Sequence, residues 1–336
     1  MRPLVAAALV VCTGSALLAG CSSDAQPNDE LMLSDNPVAA TAATSPALSK
    51  PPAGTVLPVS SAVTALATDA QTRTLAVAVS TPPSVQLYDL DAPGAAPRSV
   101  PLPSPAASLS VAAPGGPVVA ATGGAVVRVD LATATATPTE VAGDPVDATT
   151  FADDTLVAVR DGKGIAVLAG DKVQRVITGG LLSADQVYGL GQRAVVLDRL
   201  RNAVFQVDVG AGTVGEGLRA GQGATNGVVD RFGRVLVTDT RGGALMAFST
   251  DPLLMRQRYP VAGAPYAIAY DPTRDLAWVT LTETNEVVGY AVAGPEPVER
   301  HRFPTVAQPN SVAVDPTTGR VLVASATGGG VQVVQP

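Results

Sequence analysis

The chain of 336 residues is 46% hydrophobic and 15% charged, and it carries a net charge of −7. Binding to nucleic acid needs clustered Lys and Arg, so this charge argues against a nucleic-acid partner. Aromatic residues make up only 4%, whereas Ala, Val, Gly and Pro are abundant. This composition favours many short, closely packed strands over long helices.

The first twenty residues have the features of an export signal. Arg2 provides a positive start, and residues 4–18 are apolar except for one short break. The apolar stretch is shorter than the roughly 18–20 residues that a helix needs to span a bilayer. The sequence therefore predicts a signal peptide over residues 1–20.

A cysteine follows the apolar stretch directly, in the run Leu18, Ala19, Gly20 and Cys21. This run resembles the lipobox of bacterial lipoproteins, in which the cysteine thiol is acylated and the chain is cleaved just before it. The resemblance implies a lipid such as palmitate on Cys21 and a position at the extracytoplasmic face of the cell membrane. The composition, poor in Lys, fits an actinobacterial source. The alternative is an ordinary cleaved signal with a chance cysteine.

Residues 22–53 contain five prolines among Ser, Ala, Thr, Asp and Asn. Such a composition cannot bury enough apolar surface to offset the entropy of the chain, so it predicts a disordered linker. As a random coil the linker would span about 30 Å. The predicted organisation is a signal peptide over 1–20, an acylated Cys21 with its tether over 21–53, and one domain over 54–336.

Similar blocks recur along the rest of the chain. SVAVDPTTGRVLVASATGGGVQVV begins at Ser311, and AIAYDPTRDLAWVTLTETNEVVGYAV begins at Ala267. Each reads as a strand, a polar turn, a second strand, another turn and a third strand. The first-turn residues Asp69 and Asp315 are 246 residues apart, or 41 for each of six intervals. Four strands in about 40–45 residues is the spacing of β-propeller blades.

The seventh block holds three strands, and a separate strand-like stretch, GTVLPV, occupies residues 54–59. We expect this N-terminal strand to complete the last blade and close the ring, which removes an open sheet edge. The predicted fold class is therefore an all-β, seven-bladed β-propeller. A six-bladed ring is the alternative, because the repeat is least regular near residues 181–190.

The Asp-Pro-Thr turns, and the Thr-Asp or Thr-Glu pairs after the second strands, resemble those of the YVTN and NHL propeller families. The segment LVTDTRGGALMAF, which begins at Leu236, shows the likeness most clearly. The resemblance covers the domain over 54–336. It implies the fold but no single function, since such propellers do many jobs.

The resemblance also implies that the first strand of each blade lines a central channel. An inner ring of polar residues then begins these strands, and its oxygen atoms suit Ca²⁺. The calcium-dependent lactonase propellers are somewhat similar here, although this ring has one carboxylate. The alternative is that these residues cap strand starts and turns. The inner ring comprises Asp147, Gln186, Asn226, Tyr266 and Asn310.

A second set of polar residues lies in the turns between the second and third strands, on the same predicted face. Its charges are mixed in sign, as in a surface that recognises a peptide or a glycan, or as in a solvated rim. The set comprises Arg160, Asp198, Arg199, Arg201, Asp239, Arg241, Glu283 and Asn285.

Histidine occurs once, as His301 in a predicted fourth strand, which argues against a histidine triad or a zinc site. We therefore expect a non-enzymatic binding or scaffold protein in the cell envelope, without a cofactor. Its expected partners are the membrane, through the lipid on Cys21, and an envelope protein or glycan. The alternatives are a calcium-dependent lactonase that uses the channel, and an accessory lipoprotein of an envelope complex.

Overall fold

The computed structural model describes Leu31 and residues 36–336. The predicted signal peptide, the lipobox with Cys21 and most of the first part of the linker lie outside the described residues. The described residues form 28 strands in seven antiparallel sheets of four strands each. None of them forms a helix that is long and apolar enough to cross a membrane.

Each sheet is one blade, and its strands follow one another in chain order in the first six blades. Blade 1 comprises β2 (Val63–Asp69), β3 (Thr74–Ser80), β4 (Pro83–Asp89) and β5 (Arg98–Pro101). Blade 2 comprises β6 (Ala106–Val111), β7 (Val118–Thr122), β8 (Ala125–Asp130) and β9 (Thr135–Glu140). Blade 3 comprises β10 (Pro145–Phe151), β11 (Asp154–Val159), β12 (Gly164–Ala169) and β13 (Lys172–Thr178).

The remaining blades repeat this order until the last. Blade 4 comprises β14 (Gln186–Leu190), β15 (Arg193–Asp198), β16 (Ala203–Asp208) and β17 (Thr213–Arg219). Blade 5 comprises β18 (Ala224–Val229), β19 (Arg234–Asp239), β20 (Ala244–Thr250) and β21 (Leu253–Pro260). Blade 6 comprises β22 (Pro265–Asp271), β23 (Leu276–Leu281), β24 (Glu286–Ala291) and β25 (Val298–Pro304). Blade 7 comprises β26 (Pro309–Val314), β27 (Val321–Ser325), β28 (Val331–Val334) and the N-terminal β1 (Thr55–Leu57).

The first strand of each blade contacts the first strand of the next, and β2 contacts β26. The blades therefore form a closed ring of seven, which confirms the predicted fold class and excludes the six-bladed alternative. The irregular stretch before blade 4 is a loop rather than a missing strand. Gly179 and Gly180 adopt positive φ angles there, and Leu181 and Asp185 are buried.

The second strands show why alanine and valine dominate the composition. Each is buried almost from end to end, as in β3, β7 and β23, because a blade is covered on both faces by its neighbours. One apolar cluster lies at each of the seven interfaces between blades. A large aromatic side chain fits only where the facing residue has no side chain. Trp278, for example, packs over Gly289, where an added Cβ would lie 2.9 Å from the indole ring. Close stacking of sheets therefore accounts for the few aromatic residues.

Closure joins the two ends of the described chain in blade 7. Val56 of β1 pairs with Gln332 of β28. The Gln332 side chain is fully buried, and its Nε2 donates to the carbonyl oxygens of Ala53 and Pro304 at 2.7 and 2.9 Å. Its Oε1 accepts from the Val306 amide at 3.1 Å. The predicted closure by an N-terminal strand is confirmed, and this amide satisfies the backbone groups at the joint.

Residues 36–53 differ from the disordered linker that their composition predicts. Ala40 is buried, and hydrogen bonds join this segment to the turns of several blades. Leu31 is half-buried and packs against the apolar cluster between blades 3 and 4. The difference has a physical cause: small residues and prolines bury little surface alone, but their backbone groups find partners on a preformed ring.

Candidate functional site

The seven first strands surround a channel with a cavity of about 440 Å³. Asp147, Gln186, Asn226 and Asn310 all line this cavity. Tyr266 lies at the channel mouth, where Arg160, Asp185 and Arg199 also contribute. The structure therefore brings the whole predicted inner ring together, as the sequence spacing indicates.

The inner ring is not in one strict register, because the ladder shifts near the start of most first strands. The shift occurs between Pro145 and Asp147 in β10, and between Ala224 and Asn226 in β18. In β26 it occurs between Pro309 and Ser311, so that Asn310 stands at the shift and not after it. Such bulges re-aim side chains next to functional sites. Because of these bulges, Asp147 and Asn226, which follow the shift, and Asn310, which lies one position earlier at the shift, all face the same channel.

Three members of the inner ring bind the backbone of the next blade. The Val187 amide donates to Asp147 Oδ2 at 3.0 Å, and the Gly227 amide donates to Gln186 Oε1 at 2.8 Å. Asn226 Nδ2 donates to the Tyr266 carbonyl oxygen at 3.1 Å. These bonds link blades 3, 4, 5 and 6 in sequence. The capping role that the sequence left open is thus present, and it operates between blades.

The side-chain amides of the inner ring each have a second polar atom that can bind a ligand in the channel. Gln186 Oε1 also accepts from Tyr188 Oη, and Asn310 Oδ1 accepts from Gln308 Nε2 at 2.9 Å. Gln186 Nε2 and Asn310 Nδ2 therefore remain as donors, and Asn226 Oδ1 remains as an acceptor. The Thr64 hydroxyl is also buried without a hydrogen-bond partner in the described part of the chain. The channel wall offers both donors and acceptors from uncharged groups.

Asp147 is the carboxyl group of the inner ring. Burial raises its pKa from 3.8 to about 6, although the Val187 amide opposes this shift. The side chain is still partly reached from the channel. Near neutral pH the group is therefore close to its titration range, and an anionic ligand in the channel would meet an ionised carboxylate.

The inner ring does not fit a calcium ion. Ca²⁺ takes about six to eight oxygen ligands, usually with several carboxylates. The oxygens of Gln186 and Asn310 already accept hydrogen bonds, and Asp147 supplies the one carboxyl group of the ring. No group of three or more His, Cys, Asp or Glu side chains is placed to hold a metal ion in the described residues.

Two acidic residues of the predicted rim are buried and hold loops. Asp198 Oδ2 accepts from the Leu182 amide at 2.7 Å, and Asp239 Oδ1 accepts from the Gly223 amide at 2.8 Å. Both side chains are fully buried. They fasten the loop that precedes the first strand of their own blade, so they do not face a partner.

The basic and amide residues of the rim contact the N-terminal segment of the chain itself. Arg199 Nη2 donates to the Ala40 carbonyl oxygen, and Arg241 Nη2 donates to that of Val38 at 2.9 Å. Asn285 Nδ2 donates to the Pro46 carbonyl oxygen at 2.9 Å. These three residues thus form one surface, as the sequence indicates, but that surface is occupied by residues 38–46.

The other rim residues are arranged differently. Arg160 pairs with Asp185 at 2.9 Å beside the channel mouth, and Glu283 is exposed. The Arg201 guanidinium lies 5.7 Å from the centroid of the Phe205 ring. Arg160 and Glu283 form no hydrogen bond with residues 38–46 in the described part of the chain.

His301 lies in β25, the fourth strand of blade 6, as predicted. Its ring stacks on Trp278 with 5.5 Å between centroids and on Phe303 with 6.2 Å. The histidine is therefore part of an aromatic stack on the outer part of a blade, away from the channel.

Sequence reasoning missed Gln308, Thr282 and Asp185. Gln308 and Thr282 hold the N-terminal segment, and Asp185 binds Arg160 and the Arg199 amide. All three lie in loops next to predicted sites. Their position before a first strand or after a second strand was visible, but nothing in the repeat pattern marked their partners.

No family model and no curated protein matches this sequence. Solved structures are similar in fold. A chain of Kuenenia stuttgartiensis hydrazine synthase shares 15% identity at a TM-score of 0.71, over 87% of this chain and 99% of that one. The β-propeller domain of Myceliophteria thermophila Cps50 (Swd1) shares 12% identity at a TM-score of 0.72, over 85% of this chain and 100% of that one. A streptogramin B lyase shares 12% identity at a TM-score of 0.69, over 84% of this chain and 95% of that one. At such identities the likeness concerns the fold alone.

Proposed function

We propose that this chain is an exported, lipid-anchored binding protein of the cell envelope, and that its channel binds a small, neutral, hydroxyl-rich ligand such as a glycan residue. The lipobox at Cys21 supports the anchor. The observation that carries the ligand class is the set of uncharged donors and acceptors left on Gln186, Asn226 and Asn310. Sugar hydroxyls both donate and accept hydrogen bonds, so they match such a wall.

The size and chemistry of the channel support binding rather than catalysis. Its cavity of about 440 Å³ lies within the range of small-molecule sites. Asp147 supplies one carboxyl group, and His301 lies on the outside of blade 6. Tyr188 lines the same cavity, but burial raises the pKa of its phenol, so this group stays protonated and does not serve as a base beside Asp147. The channel has the character of a recognition site.

Titration calorimetry with neutral methyl glycosides of hexoses, and with the matching uronic acids, tests the ligand class. We expect saturable binding of a neutral glycoside and none of its uronic acid. Asn310→Ala removes the Asn310 Nδ2 donor; among the described residues the side chain of Asn310 hydrogen-bonds to Gln308 alone. It should weaken binding about tenfold, the effect of one hydrogen bond.

Thr135→Ala on the outer strand β9 is the matched control and should bind as the unaltered protein does. Absence of heat with every neutral glycoside would exclude the proposed ligand class. Calcium chloride belongs in the same series. Stoichiometric Ca²⁺ binding that is lost in Asp147→Ala would favour the lactonase alternative instead.

A further inference from the structure

Residues 37–46, here called the strap, cross one face of the ring over the turns of blades 4, 5 and 6 and the loop before blade 7. Hydrogen bonds with the ring hold the strap at five of its residues and leave its outer side exposed to solvent. The ring residues that hold it are here called the rim groove: Arg199, Arg241, Thr282, Asn285 and Gln308.

The rim groove binds the strap mainly through hydrogen bonds to its backbone atoms. Gln308 acts like the edge of a strand: its Nε2 donates to the Ala43 carbonyl oxygen at 2.9 Å, and its Oε1 accepts from the Ser45 amide at 3.0 Å. Thr282 Oγ1 accepts from the Ala43 amide at 3.1 Å. The carbonyl oxygens of Val38, Ala40 and Pro46 accept from the two arginines and Asn285. The Ser45 side chain adds two bonds: its Oγ donates to the Thr282 carbonyl oxygen at 2.6 Å and accepts from the Gln308 amide at 3.1 Å.

One position of the strap selects for size. Ala40 is 1% exposed, and its Cβ lies 3.0 Å from the place where a Cβ on Gly223 would stand. A longer side chain at position 40 would meet the ring. By contrast Val38 is 70% exposed, and Thr41 and Thr44 are exposed too. The rim groove therefore requires a small residue at one point and places little demand on the rest.

From these contacts we infer that the rim groove is a peptide-binding site for extended segments of small residues and prolines. The strap is its ligand in cis, and a separate peptide of the same chemistry binds in its place. A site that reads main-chain atoms cannot distinguish the strap from another extended peptide with a small residue at the position of Ala40. The inference goes beyond the proposed channel ligand and depends neither on it nor on the lipid at Cys21.

The test uses the full chain with a protease recognition sequence inserted between Ser49 and Lys50, which are both exposed. Cleavage there separates the strap from the ring but leaves β1 and the closed blade 7 intact. After the fragment is washed away, a fluorescent peptide with the sequence of residues 36–48 is titrated by anisotropy. We expect saturable binding to the cut protein, and at least tenfold weaker binding to the uncut protein. Retention of the cut fragment through gel filtration would support the same conclusion.

Gln308→Ala in the cut protein should weaken peptide binding at least tenfold, and so should a peptide with Gln in place of Ala40. Glu283→Ala is the matched control, since Glu283 is exposed on the same rim and should leave the affinity unchanged. A cut, washed protein that keeps its β-sheet circular dichroism but shows no saturable binding would overturn the inference. So would equal affinities in Gln308→Ala and Glu283→Ala. Results with glycosides or with Cys21→Ser would not alter either outcome.

Discussion

The side chain of Asp147 lies between the first strands of blades 3 and 4. Burial raises its pKa from 3.8 to about 6, and the Val187 amide at 3.0 Å acts in the opposite direction. Between these two pH values the folded chain retains a proton that the unfolded chain has lost. The free energy of unfolding therefore falls as the pH rises from about 4 to about 6. The ionised carboxylate of Asp147 therefore lowers the free energy of unfolding at neutral pH.

Asp147→Asn should remove this cost, because an amide stays neutral and its oxygen can still accept from Val187. We expect the free energy of unfolding to rise by about 1 kcal/mol at pH 8, a value reduced for the water that reaches the channel. At pH 3.5 the variant and the unaltered protein should be equally stable. Thermal unfolding at both pH values measures the difference. An equal gain at both would show that Asp147 does not titrate as described.

At the scale of strands and blades, the joint between blades 7 and 1 carries polar contacts that the sequence repeat does not show. Arg73 of blade 1 binds the buried Asp315 of blade 7 through its Nη1 at 2.8 Å and its Nη2 at 2.9 Å. Burial alone would raise the pKa of Asp315, but hydrogen bonds from Arg73, Thr318 and Thr317 lower it to about 2. The aspartates that marked the repeat by their spacing also organise turns, and this one helps to close the ring.

Arg73→Ala should lower the free energy of unfolding at pH 7 by about 2 kcal/mol, since it leaves a buried carboxylate without its cation. Because the pKa of Asp315 is lowered on folding, this contribution is present above about pH 4 and disappears as the pH falls toward 2. Urea unfolding at pH 7 and pH 2.5 measures the change. Arg302→Ala is the matched control: its partners Glu286 and Glu299 lie in the same blade and are partly exposed, so it should cost less than about 1 kcal/mol. Equal losses in the two variants would contradict a special role for the joint.

At the scale of the whole molecule, the ring is a self-contained support on which two separate surfaces stand. The channel faces inward from the first strands, and the rim groove lies on the turns of blades 4 to 6 and the loop before blade 7. Seven apolar clusters, one at each interface between neighbouring blades, hold the ring together. A domain of this kind can remain folded whether or not it is attached to a membrane.

On the proposed lipid anchor, Cys21→Ser should release a folded ring from the membrane, because serine lacks the thiol that would carry the lipid. We expect the variant in the soluble extracytoplasmic fraction, with the same unfolding temperature as the detergent-extracted protein. Fractionation followed by immunoblotting measures the distribution, and Cys12→Ser within the predicted signal is the control that should stay membrane-bound. A Cys21→Ser protein that remains with the membrane would refute lipid anchoring at this residue.

Local rules account for much of the architecture. The 41-residue period, the alternating and buried strands and the spare strand at residues 54–59 were enough to predict seven blades and their closure, because each blade is built from contacts between neighbours in sequence. The convergence of Asp147, Gln186, Asn226 and Asn310 on one channel follows from the same period. Their equivalence holds because every blade places its first strand on the axis.

The partners of individual side chains depended on the tertiary structure. Nothing in the sequence near Asp198 or Asp239 distinguishes a buried loop anchor from an exposed rim residue, because the amides they bind belong to a loop about 16 residues away. The strap shows the same limit more strongly, since Ala43 meets Gln308 across 265 residues. The sequence by itself determined the repeat and the ring of channel residues, and it predicted seven blades with six as the alternative. Only the tertiary structure decided which polar groups are already bound, because that depends on contacts between segments far apart in the chain.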